Sequence, residues 1–81
     1  MEKIILLTVS VNEEGTQSYD MVECKSKEEA HEMGKTQFLE FVQYNCTDEV
    51  KFDQRHVTDD LFVARDINSV AEFNYYIKTF K

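Results

Sequence analysis

Apolar side chains recur at helical spacing along one long stretch, Ser26 to Tyr44, SKEEAHEMGKTQFLEFVQY. At about 100° per residue, Ala30, Met33, Gly34, Gln37, Phe38, Phe41, Val42 and Tyr44 gather on one side of a helix. Glu28, Glu32, Lys35, Thr36, Glu40 and Gln43 gather on the other. Ser26 can accept from the amide three residues on, with Glu29 placed to reach back to it, so the pattern predicts a capped amphipathic helix. Glu28 and Glu29 also stand where the helix dipole favours negative charge. Gly34 is discordant, because glycine inside a helix costs about 0.5–1 kcal/mol relative to alanine. Its place on the apolar side predicts that a strand crosses close beneath it. Leu39 departs from the pattern in the other direction, pointing away from Ala30 among glutamates.

Elsewhere the period is shorter. Lys3 to Val11, KIILLTVSV, sets Ile5, Leu7, Val9 and Val11 on one face and Ile4, Leu6, Thr8 and Ser10 on the other, the pattern of an interior strand whose far end emerges into water. Asn12 to Gln17 reads as a turn, with Gly15 free to take positive φ. Ser18 to Cys24 is the returning strand, weakly apolar and suited to a sheet edge. Asn45 to Glu49 ends the helix, asparagine tolerating the left-handed geometry of a helix stop. Val50 to Val57 reads as a short strand, Thr58 to Asp60 as a turn, and Leu61 to Arg65 as a compact buried strand. From Asn68 or Ser69, with Ser69 and Glu72 spaced as a capping box, the stripe Val70, Phe73, Tyr76, Ile77 and Phe80 predicts a second helix. On it Ala71, Asn74, Tyr75 and Lys78 face outward. The expected architecture is therefore a single α+β domain over residues 1–81, a two-layer sandwich. Its small antiparallel sheet, in ββαββα order, is covered on one face by two helices.

Composition adds that the chain can build only one core. Eighty-one residues with 42% hydrophobic and 31% charged content, and no proline, fit a single folded unit and exclude a linker or a disordered tail. Sixteen acidic against nine basic side chains give a net charge of −7. That balance opposes direct binding to phosphate backbones and makes a basic protein surface the natural complement. Solubility alone is the simpler use of the same charge. Cys24 and Cys46 show neither a second pair nor a C-x-x-C spacing, so they read as reduced, partly buried thiols of a cytoplasmic protein. The apolar run near the start is too short to cross a bilayer and has no cleavage pattern behind it.

Candidate chemistry is sparse. None of the phosphate-binding, dinucleotide, zinc-protease or nucleophile-elbow motifs occurs. His56 to Asp60, HVTDD, concentrates an imidazole and two carboxylates, but it lacks the glycine and the acidic spacing of a calcium loop and reads as a solvated turn. Cys24 or Cys46 with His31 or His56 could form a nucleophile and base, without a supporting motif. Tyr19, Tyr44, Tyr75 and Tyr76 could stack bases only beside a positive groove, which dispersed lysines do not supply. Tyr44 and Tyr76 are assigned to the core, and Tyr75, outward on its helix, to an interface.

These readings predict a non-enzymatic protein without metal or cofactor, which binds and inhibits or regulates a larger basic partner, such as a nuclease or another nucleic-acid-handling factor. Glu28, Glu32, Glu40, Asp59 and Asp60 would be its rim charges, and Leu39 and Tyr75 its central anchors. In size and charge the chain resembles phage-encoded inhibitors of host defence or transcription machinery, anti-CRISPR proteins and DNA mimics among them. The resemblance implies such an inhibitory role. Two other expectations are an accessory domain that dimerises through edge strand Ser18 to Cys24, and a sensor with a small-ligand pocket between sheet and helix.

Overall fold

A computed structural model describes residues 2–80. Strands β1 (Lys3–Val11) and β2 (Gln17–Cys24) form a hairpin, followed by helix α1 (Lys27–Tyr44). A single 3₁₀ turn (Glu49–Lys51) leads into a second hairpin, β3 (Phe52–Thr58) and β4 (Leu61–Asp66), and then into β5 (Glu72–Phe80). The sheet order is β2-β1-β5-β4-β3, antiparallel throughout. The two hairpins thus lie at opposite sides of one sheet, and β5 enters between them as its central strand.

The α+β class and the antiparallel sheet match expectation, while the second helix does not form. Residues Glu72 to Phe80 alternate Phe73, Tyr75, Ile77 and Thr79 against Glu72, Asn74, Tyr76, Lys78 and Phe80, and the first set faces α1. Phe, Tyr, Ile and Thr favour a pleated, half-buried surface, and β5 pairs with β1 along its whole length and with β4 over Glu72 to Tyr76. Ser69 does not cap a helix. Its hydroxyl donates to Asp66 Oδ2 at 3.0 Å and accepts from the Ala71 amide at 3.1 Å, while Asp66 Oδ1 accepts from the Asn68 amide at 2.8 Å. The same residue types that cap helices also close tight turns, and here the buried Asp66 closes one. The element order is therefore ββαβββ, and Ala71, expected outside, is buried.

Helix α1 has the predicted start, with Ser26 Oγ accepting from the Glu29 amide at 3.1 Å. Its end is a Schellman motif: Cys46 N–H donates to Gln43 O and Thr47 N–H to Val42 O. The left-handed residue is Cys46, at φ 53°, and not Asn45, whose side chain instead donates to Phe41 O at 2.8 Å. Because β2 and β3 are opposite edges, the chain between them must cross the sheet, and α1 makes that crossing. It buries Ala30, Gly34, Phe38 and Val42 against the sheet. Gly34 has the predicted reason: a Cβ there would stand 2.7 Å from Cδ2 of Tyr75 on β5. Phe38 is the hub, with ring centroids of Phe52, Phe62 and Phe73 at 5.6, 5.4 and 5.7 Å. In the predicted strand Val50 to Val57, Val50 belongs to the 3₁₀ turn and is exposed, and the register shifts between His56 and Thr58.

Among the described residues, none covers the second face of the sheet. Onto it β1 turns Ile5, Leu7, Val9 and Val11, β2 turns Tyr19 and Met21, β4 turns Leu61 and Val63, and β5 turns Tyr76 and Phe80. Its charged residues are Lys3, Arg55, Arg65 and Lys78 against Glu23, Asp53 and Glu72.

Candidate interaction site

The covered side of α1 fixes what its other side presents. With Ala30, Gly34, Phe38 and Val42 turned to the sheet, Glu28, Glu32 and Glu40 are exposed, and Leu39 lies among them with 37% of its surface open. Twelve residues at about 1.5 Å rise each separate Glu28 from Glu40 by about 18 Å along the axis. The β3–β4 turn joins this ridge at its start. Lys27 Nζ lies 3.4 Å from Asp60 Oδ1, and the Asp60 amide donates to Thr58 Oγ1 at 3.2 Å. Glu28, Glu32, Leu39 and Glu40 thus form an outer rim along the helix, Glu40 on the side of the β1–β2 hairpin, while Asp59 and Asp60 adjoin only its start, through Lys27.

This rim is not neutralised from within. Among the described residues the ion pairs are Lys27–Asp60 and Arg55–Asp53, and neither engages Glu28, Glu32, Glu40 or Asp59. Both pairs are exposed, a setting in which such contacts contribute little. Glu28 and Glu32 are one turn apart with the same sign, an arrangement that destabilises a helix by about 0.2–0.5 kcal/mol. The sequence accepts that local cost.

Tyr75 does not belong to the rim. It lies on β5 under Gly34, 4% exposed, with its hydroxyl 2.9 Å from His31 Nδ1 and its ring stacked on Phe62. Burial pushes its phenol pKa above the usual value. The tyrosines expected in the core are the open ones: Tyr44 is 79% exposed at the last turn of α1, and Tyr76 is 43% exposed on the uncovered sheet face. The exchange follows from β5 being a strand, which puts Tyr75 and Tyr76 on opposite faces.

Beside the ridge, a cleft of about 650 Å³ opens between the C-terminal half of α1 and the β1–β2 hairpin. Its floor holds Thr8 and Ser10 with their cross-strand partners Asp20 and Ser18, and its walls include Glu40, Phe41 and Tyr44. Sequence reading missed Asp20 and Tyr44. Asp20 joins Glu40 only through the hairpin register, whereas Tyr44, as the last helical residue, could have been read as overhanging the core.

The remaining chemical candidates separate. Cys24 is buried, its thiol 3.7 Å from Met33 Sδ, and desolvation, assisted by the Glu29 charge, raises its pKa and suppresses the reactive thiolate. Cys46 is exposed, contrary to the partly buried thiol expected, and both cysteines are free. His31 is engaged with Tyr75, and His56 lies against Phe62 at a centroid distance of 5.1 Å. Among the described residues no three His, Cys, Asp or Glu side chains gather in a metal-holding group, and no helix is long and apolar enough to cross a membrane. Compared with protein-family models, curated proteins and solved structures, the chain matches none.

Proposed function

We propose that this chain is a non-enzymatic interaction protein that engages a larger basic protein through the acidic ridge of α1 and the β3–β4 turn. One observation carries the reading: an exposed row of carboxylates, Glu28, Glu32 and Glu40, has no ion-pair partner among the described residues and includes a like-charged pair that works against the helix bearing it. Desolvation against a basic surface gives such a row a use that solubility does not require. Leu39 supplies an apolar contact within the charged rim. The adjoining cleft extends the contact, since Asp20 and Glu40 beside the rings of Phe41 and Tyr44 suit a lysine or arginine side chain of the partner.

A partner whose own basic surface ordinarily takes nucleic acid fits this charge, and its inhibition follows if the ridge occupies that surface. The chain itself would bind neither nucleic acid nor membrane. Free thiols suit action in the cytoplasm. The test is affinity capture from a bacterial lysate at low and raised salt, with mass-spectrometric identification. The wild-type chain should retain a basic protein that salt releases, and the triple variant Glu28→Lys, Glu32→Lys, Glu40→Lys should lose it. Equal retention by both chains would remove the ridge from the account.

The cleft supports one further reading, a small polar ligand held between hairpin and helix. A thermal-shift screen separates the two, because a ligand at a hundred times its dissociation constant adds about 2.7 kcal/mol of stability.

A further inference from the structure

The uncovered sheet face breaks the usual pattern of an antiparallel sheet with one covered side, which turns polar residues to the other. Leu7 and Val9 of β1, Tyr76 of β5 and Leu61 of β4 line a shallow groove of about 420 Å³, and Met21 and Tyr19 of β2 carry the apolar surface on to the edge. Lys78 also borders the groove, but its ammonium lies over the Phe80 ring, 5.8 Å from the centroid, at the rim. The centre is apolar but for Asn74, whose amide sits between Val9 and Val63.

We propose that this face is the interface of a homodimer, in which two copies meet sheet on sheet with α1 of each on the outside. Charge identifies the occupant. The chain carries −7 in total, yet this face holds four basic against three acidic side chains, so two copies can approach here without the repulsion that a pairing of their acidic ridges would meet. A strongly basic partner gains nothing from so balanced a surface. The near-neutral mixture of signs around an apolar centre is self-complementary, as a two-fold interface requires.

The area also suffices. Five strands spaced about 4.8 Å apart and averaging about 26 Å in length, from six residues in β4 to nine in β1 and β5, give each copy a footprint on the order of 600 Å². Two copies together reach about 1,200 Å², where stable interfaces begin. Facing sheets would interdigitate these side chains at about 10 Å separation. The inference goes beyond the acidic-ridge reading and does not depend on it. Its consequence for that reading is that both ridges point outward, giving one dimer two acidic surfaces.

Sedimentation equilibrium over a range of concentrations tests this without any partner. The wild-type chain should show twice its chain mass, and Tyr76→Lys and Met21→Lys should each raise the dimer dissociation constant at least about tenfold. Val50→Lys, at an exposed position away from this face, should leave it unchanged. Circular dichroism verifies that each variant is folded, and Met21, 65% exposed, can be replaced even if Tyr76 cannot. A wild-type chain still monomeric at about 100 µM, or a dimer that a folded Tyr76→Lys or Met21→Lys variant leaves intact, would overturn the inference.

Discussion

The two faces of strand β1 contrast in a way opposite to their fates. The side under α1 carries Ile4, Leu6, Thr8 and Ser10, while the open side carries the aliphatic row Ile5, Leu7, Val9 and Val11. Judged by β1 alone, the helix would cover the other face. The choice is made by strands remote in sequence: Phe52, Phe62, Ala64, Phe73, Tyr75 and Ile77 all turn to the helix side and build the aromatic cluster around Phe38. A strand's alternation defines two faces, but the rest of the sheet decides which one is sealed.

Substitutions sharpen that contrast by costing stability on one face and association on the other. Phe38→Ala has the largest expected effect, a loss of about 3–5 kcal/mol on unfolding by denaturant, because it empties the centre of the ring cluster. Tyr76→Ala, on the open face, should leave the unfolding energy of the monomer nearly unchanged and weaken only self-association. Equal losses in the two variants would erase the distinction between the faces.

Gly34→Ala comes next. Alanine is the better helix former, yet its methyl group would meet the base of the Tyr75 ring, which β5 holds in place on both flanks. The expected result is a destabilisation of about 1–3 kcal/mol, and a stabilised variant would show that α1 rides farther from the sheet than described.

On the open face, Asn74 Oδ1 is buried without a hydrogen-bond partner, its amide nitrogen donating to Glu72 Oε1 at 3.1 Å. Asn74→Val should be neutral or stabilising by up to about 1 kcal/mol, since it removes an unsatisfied acceptor from between Val9 and Val63. A loss of more than that would assign Asn74 a structural partner.

Glu32→Lys has a small expected effect on stability, because it turns the like-charged pair with Glu28 into an attractive one. It should raise stability by about 0.5 kcal/mol while weakening capture of a basic partner. A change in the same direction for both properties would mean that the acidic row serves folding and not binding.

How much of this was legible in the sequence follows the range of the interactions. Helix α1, its Ser26 cap and the Asn12–Gln17 turn depend on neighbours within a few residues, and each was readable; the glycine at position 34 announced a close strand beneath it but not which strand. Strand β5 was misread because Val70, Phe73, Tyr76, Ile77 and Phe80 satisfy a helical period as well as a strand, and because its stabilising partners, β1 and β4, lie elsewhere in the chain. That one error displaced Tyr75 from the core and put Tyr76 into it. The outward position of Glu28, Glu32 and Glu40 on α1 needed only the helix, whereas the cleft with Asp20 and the open apolar face needed the sheet order.

The most direct test of the division between the faces is the stoichiometry of the complex with a captured basic partner, measured by light scattering during size-exclusion chromatography. The account predicts two chains with two partner molecules, the open faces joined and each outward ridge occupied. A complex of one chain with one partner, formed as the dimer comes apart, would contradict it by placing the partner on the open face.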